Sequence, residues 1–191
     1  KLDEKLGDTA TPMLTCHVAA ECQKVLDDKT VMVFDGGNTT VWGQFFHQVR
    51  AVNTVLATHH MGHLGAGVGQ ALGAAVARPD QQVCCIIGDG AFGIGAMEMD
   101  TAIRHDLPFT CVIGNDGQWG MIERAQKDLF GEDRLVAATL PDRPYEEMVA
   151  ALGGYGERVE DPEEIRPALE RARESGRPAC LNVILDPKLT G

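Results

Sequence analysis

The sequence predicts an α/β fold, an open and mostly parallel β-sheet with helices on both faces. Three observations carry that prediction. Short β-rich runs alternate with helix-spaced runs from end to end. The run QVCCIIG (82–88) is apolar almost throughout, as in a central parallel strand covered on both sides. The 22 glycines cluster just beyond the strand ends, where open parallel sheets bind ligands.

The elements follow in order. Residues 1–12 (KLDEKLGDTATP) read as a polar interdomain linker remnant, and 13–191 as one domain. Residues 13–27 carry apolar positions at helical spacing behind Pro12. TVMVFD (30–35) is a strand ending at Gly36-Gly37, a weaker helix covers 39–49, and NTVLAT (53–58) is the second strand. The Ala- and Gly-rich stretch 65–77 predicts a buried helix closed by Arg78-Pro79. Strand 82–88 precedes a helix near 95–105, strand 109–115 and a helix from about 118. Residues 131–143 are turn-rich and take no assignment. Tyr145–Leu152 reads as helix and Tyr155–Val159 as strand. Asp161-Pro162-Glu163-Glu164 opens a further helix with an N-cap, a first-position proline and early acids. ACLNVIL (179–185) is the last strand.

Composition narrows the function. Within 191 residues, 17 basic side chains face 28 acidic ones for a net charge of −11. That balance argues against a nucleic-acid or anionic-membrane partner. No apolar run reaches the roughly 18 residues of a membrane-spanning helix. The six cysteines form no C-x-x-C pair and sit mostly in apolar runs, which predicts reduced core thiols in a cytoplasmic protein.

Four strand ends carry polar, glycine-rich loops: Asp35-Gly36-Gly37-Asn38-Thr39-Thr40, then His59 to Gly67, then Gly88-Asp89-Gly90-Ala91-Phe92-Gly93, then Asn115 to Gly120. In a parallel sheet they converge on one edge. Glycine lets backbone N–H groups approach an anion, and helix N-termini add positive potential. Asp89 and Asn115 offer hard oxygen ligands suited to Mg²⁺ or Ca²⁺. The physical reading is a diphosphate held by backbone amides and one divalent cation. Gly65-Ala66-Gly67-Val68-Gly69 has the wrong spacing for a dinucleotide fingerprint.

Gly88-Asp89-Gly90, followed after residues 91–114 by Asn115, resembles the diphosphate-binding motif of thiamine-diphosphate enzymes. Asp35 to about Phe130 resembles the C-terminal cofactor domain of their acetolactate synthase-like branch. Gly36-Gly37-Asn38-Thr39 with Trp42 is similar to that branch's first phosphate loop, and Met61-Gly62-His63-Leu64-Gly65 to the loop under the aminopyrimidine. Ala77-Arg78-Pro79-Asp80, Phe92, Glu98 and Gly120-Met121 fall at matching positions, while Tyr145–Leu185 matches more loosely.

The resemblance implies the thiamine diphosphate-binding fold, with thiamine diphosphate and Mg²⁺ as cofactors. It implies Asp89, the Asn115 side-chain oxygen and the Gly117 carbonyl as metal ligands. Gly37, Asn38, Thr39, Gly90 and Ala91 would hold the diphosphate. The Gly62 carbonyl and Leu64 N–H would meet the pyrimidine, with the Leu64 side chain bending the cofactor, and Gly120 and Met121 would complete the site. His59, His60 and His63 read as packing or pocket lining rather than proton carriers. Trp119 and Met121, on the loop and helix there, would face the reacting end of the cofactor.

The implied chemistry is decarboxylation or carboligation of 2-keto acids or related acyl substrates. A 2-hydroxyacyl-CoA lyase or oxalyl-CoA decarboxylase relative stays open, because Ala125 stands where acetohydroxyacid synthases carry Trp. A split decarboxylase's cofactor subunit and a metal- or anion-binding regulatory module also stay open. No catalytic residue is assigned within the chain. The resemblance implies that the activating Glu comes from a pyrimidine-binding domain of the same or another chain; Glu98 and Glu123, the obvious internal carboxylates, both fall on cofactor-domain helices. Met61, Leu64, Trp119, Met121 and Ile122 are expected to form an apolar rim that drives homo-oligomerisation.

Overall fold

The computed structural model describes residues 2–8, 10–57 and 62–188. Six strands form one fully parallel sheet: β1 Val31–Asp35, β2 Val55–Ala57, β3 Val83–Gly88, β4 Thr110–Asn115, β5 Tyr155–Val159 and β6 Ala179–Ile184. Their order is β2-β1-β3-β4-β6-β5. The chain leaves β1 for one edge and returns through β3 toward the other. The crevice between the β1 and β3 loops is therefore the point where ligand sites form in such sheets.

Side chains alternate across the central strands as a period of two demands. Val31, Val33, Val83, Cys85, Ile87, Cys111, Ile113 and Cys180 face one core. Met32, Phe34, Cys84, Ile86, Val112, Leu181 and Val183 face the other. The first core is closed by α4 (Gly67–Ala77), α5 (Asp89–Gly95), α6 (Glu98–Arg104) and α8 (Tyr145–Ala151). The second is closed by α2 (Thr15–Val25) and α9 (Ile165–Glu174). Helix α3 (Asn38–Phe46) lies close enough that a Cβ on Gly43 would stand 2.8 Å from the Phe34 ring. Helix α7 (Gly120–Phe130) follows β4 and buries no residue.

All six cysteines are buried and unpaired. Burial pushes Cys22 up to about 12 and Cys84 well above its ordinary range. Register sets Cys85 beside Cys111 and Cys111 beside Cys180, a row of thiols crossing three strands.

Several boundaries differ from the sequence expectation. A short helix, α1 (Leu2–Leu6), occupies part of the segment expected as linker. The helix expected over 39–49 stops at Phe46. The helix expected near 95–105 is α6, and an additional helix, α5, begins at Asp89, directly on the strand, where a loop is expected. DGAFGIG has low helix propensity, so its sequence reads as loop; the buried Ala91 and Phe92 anchor it as helix instead. Asp161 caps as expected, accepting from Glu163 N at 2.9 Å, but a 3-10 turn at Pro162–Glu164 precedes α9. Residues 131–143 contain a 3-10 turn at Glu132–Arg134 and a single bridge from Thr139 to Gln118.

Candidate functional site

The loops after β1, β3 and β4 meet above the switch point, around a cleft of about 480 Å³. Its lining includes Gly37, Asn38, Thr39, Gly62, Leu64, Ala91, Gly120 and Met121, eight of the expected site residues. Glycine makes the convergence possible at two places. Gly36 has φ +107, and a Cβ there would sit 3.0 Å from the Gly88 amide, so only glycine lets these loops touch. A Cβ on Gly90 would enter the Trp119 ring at 2.6 Å, so that ring lies flat over the start of α5.

Asp89 and Asn115 are both buried, and their oxygens share one donor. Gly117 N donates to Asp89 Oδ2 at 3.1 Å and to Asn115 Oδ1 at 3.2 Å. Gly90 N donates to Asp89 Oδ1 at 2.8 Å. Desolvation first, and the Asp116 charge second, push the Asp89 carboxyl up to about 7, and the Gly90 and Gly117 N–H groups only partly offset them. A buried carboxylate held among neutral donors, beside a second acid, is short of positive charge. The donor set consists of one carboxylate, one amide oxygen and the Gly117 carbonyl, which accepts from Leu140 N at 2.8 Å and keeps a second lone pair. These are hard oxygens of the kind Mg²⁺ selects, so the residues fit the expected cation. No group of three or more His, Cys, Asp or Glu side chains able to hold a metal occurs among the described residues.

A second buried acid organises the neighbouring loop. Asp35, at the carboxyl end of β1, accepts from Gly65 N at 2.9 Å and Gly67 N at 2.7 Å, and so draws the 62–67 segment to the cleft. Sequence reasoning gives Asp35 no role; its signal is an acid ending an otherwise apolar strand. Thr40, Val41 and Gln44 also line the cleft, from α3, and none of them is among the expected site residues.

The expected rim is partly corrected. Met121 and Ile122 are exposed, at 50% and 53%. Leu64 and Trp119 are half-buried instead, Leu64 packing on the first core and Trp119 covering Gly90. His59, His60 and Met61 lie outside the described residues. Glu98 is exposed on α6, and Glu123 pairs with Lys127 at 2.5 Å. Neither Glu98 nor the Glu123–Lys127 pair faces the apolar lining of the cleft.

Residues 35–183 match the family described as "Thiamine pyrophosphate enzyme, C-terminal TPP binding domain". The chain belongs to that family. The match starts at Asp35 and takes in every loop described above. Among relatives of this family, the chain is 40% identical over 185 residues to the acetolactate synthase large subunit IlvG of Mycobacterium tuberculosis. A "Probable acetolactate synthase" of Mycobacterium bovis matches equally, each alignment covering 97% of this chain and 34% of the relative. A 2-hydroxyacyl-CoA lyase of Oryza sativa is 35% identical over 161 residues, covering 82% of this chain and 28% of its own length. The chain thus spans about a third of the length of the curated relatives it matches. No helix among the described residues is long and apolar enough to cross a membrane.

Proposed function

We propose that this chain holds thiamine diphosphate and Mg²⁺ for an enzyme that decarboxylates or ligates 2-keto acids or related acyl substrates. The observation that carries this reading is the convergence of Asp89 and Asn115 on the Gly117 amide, next in sequence to Gly88, Asp116 and Gln118, which line the cleft built from strand-end loops. Asp89, Asn115 and the Gly117 carbonyl would hold the cation, and Gly37, Asn38, Thr39 and Ala91 would meet the diphosphate. Gly90 N is already engaged by Asp89, which leaves Ala91 as the freer amide of that pair. Gly62 and Leu64 would face the pyrimidine, with Gly120 and Met121 bordering the reacting end.

When bound, thiamine diphosphate supplies a stabilised carbanion and an electron sink for cleaving the bond next to a carbonyl. The chain's own residues bind and orient. The Leu64 and Met121 side chains make the cleft wall apolar, and the Trp119 ring shields the start of α5 from water. Asp35 holds the Gly62–Gly67 segment in register with β1. As the family resemblance implies, the activating carboxylate would come from a partner domain. A 2-hydroxyacyl-CoA lyase-like substrate is the second reading. Ala125, exposed on α7, favours it, since acetohydroxyacid synthases carry Trp at this position.

Calorimetry with thiamine diphosphate, in the presence and absence of Mg²⁺ and against ATP and NAD, tests the reading. Binding should require the cation, and Asp89→Ala should weaken it about tenfold or more, some 1.4 kcal/mol. Equal affinity in parent and variant would sink the metal assignment. Preferential binding of ATP would favour a regulatory module.

A further inference from the structure

Asn182 interrupts the apolar strand ACLNVIL and is fully buried, with 0% exposure. A buried amide has to satisfy both ends or lose stability. Its Nδ2 donates to Glu146 Oε2 at 2.6 Å and to the Arg143 carbonyl at 3.1 Å. The Arg143 carbonyl can only accept, so the atom facing it must be the NH₂ group. The Asn182 oxygen is thereby turned to the opposite side, where it accepts from Asn115 Nδ2 at 3.1 Å. Asn115 is then fixed in turn. With its NH₂ held by Asn182, its Oδ1 is directed at Gly117 and lies on the Asp89 side.

Direction thus passes along a chain of three side chains, from Glu146 through Asn182 to the Asn115 amide oxygen, which shares the Gly117 N–H with Asp89. Glu146 sits where it does because β5 lets α8 come close. A Cβ on Gly156 would overlap the Glu146 carbonyl oxygen. The other contact to Asn115 Nδ2, from Asp142, is longer at 3.4 Å, and Asp142 is exposed and shared with Arg158.

We propose that Asn182, oriented by Glu146, is a positioning residue that sets the Asn115 side-chain oxygen toward the cation. The proposal rests on the reading that Asp89 and Asn115 hold a divalent cation. It assigns metal affinity to a strand position with no contact to the cleft. Partners that orient a metal ligand are worth about 10–100-fold in affinity.

The test is Mn²⁺ binding followed by electron paramagnetic resonance with thiamine diphosphate present, on the full chain, with circular dichroism to monitor the fold. Asn182→Ala should lose about tenfold in Mn²⁺ affinity. Asn182→Asp keeps an acceptor for Asn115 but sets a second carboxylate against Glu146, and should lose at least as much. Adding Glu146→Gln supplies an amide that donates to the carboxylate introduced at position 182, and the double variant should recover to within about threefold of the parent. If Asn182→Ala binds Mn²⁺ as the parent does, or the double variant is no better than Asn182→Asp, the proposal is overturned. Should Asn182→Ala fail to fold, the exchange pair decides alone. Failure of the underlying reading looks different: Asp89→Ala would then leave Mn²⁺ binding unchanged, and this proposal would fall with it.

Discussion

Helices α7 and α9 carry similar sequence patterns and meet opposite fates. In α9, Ile165, Ala168, Leu169 and Ala172 recur at helical spacing, and all four are buried at 0–1% exposure. In α7, Met121, Ile122 and Leu129 lie on a comparable stripe, with Phe130 beside it, yet no residue of the helix is buried. Leu129 and Phe130 stand 73% and 66% exposed. The difference is what lies opposite. Helix α9 packs its stripe on the second core, whereas α7 leaves β4 at the open edge and runs along the cleft. An amphipathic pattern therefore says that a helix has something to cover, not that this chain supplies it.

The comparison breaks most visibly in α9. Leu169→Ala removes a side chain at 1% exposure from the second core and should cost about 2–5 kcal/mol by urea unfolding. A loss below about 1 kcal/mol would show that α9 is loosely seated. Next in size is Gly90→Ala, which drives a methyl group into the Trp119 ring and should cost about 1–3 kcal/mol. Trp119 fluorescence should shift as the ring is displaced. An unchanged spectrum and stability would mean that the ring does not rest on α5.

The third prediction concerns pH in the absence of divalent cations. The folded Asp89 carboxyl, at about 7, lies above its ordinary value of 3.8, so the fold favours the protonated form. Its contribution to stability is complete below about pH 4 and is lost as pH rises through about 7. Asp89→Asn should flatten that part of the melting-temperature profile. A parent profile that rises steadily over the same window would contradict the assignment. Smallest of all is Leu129→Ser in α7, which should change stability by less than about 0.5 kcal/mol. Light scattering at micromolar concentration should nonetheless show weaker self-association than in the parent. A large stability loss would mean that the α7 stripe is covered within the chain after all.

What is legible in the sequence follows from local pattern. The strands, their order of appearance and the loops after β1, β3 and β4 can be read, because continuous apolar runs and the glycines after them are short-range signals. Asp89 and Asn115 are legible from their positions at two strand ends. What is not legible depends on pairing over long separations. Asp35 reaches amides thirty residues downstream, and Asn182 reaches Asn115 from the far end of the chain. Nothing local in either segment announces the partner. Helix α5 is hidden for a different reason: its composition reads as loop, and only burial of Ala91 and Phe92 makes it helical. Trp119 reads as rim because a flanking aromatic gives no hint that Gly90 leaves room beneath it.

The thiols that cross β3, β4 and β6 make the sheet a reporter of its own opening. A thiol reacts as its thiolate; here the Cys111 hydrogen bond and then burial raise the Cys85 pKa, burial raises that of Cys180, and the fold excludes the reagent. Alkylation is thus gated by transient exposure of the strands rather than by the chemistry of the reagent. Cys85 and Cys111 lie four positions before Asp89 and Asn115, on the two strands that those residues follow or end. Their labelling rate measures how often that part of the sheet separates. A ligand that ties the two strand ends together should slow labelling of this pair more than that of Cys16, on α2. Six cysteines without a disulfide thus amount to a clock built into the sheet, readable by mass spectrometry one residue at a time.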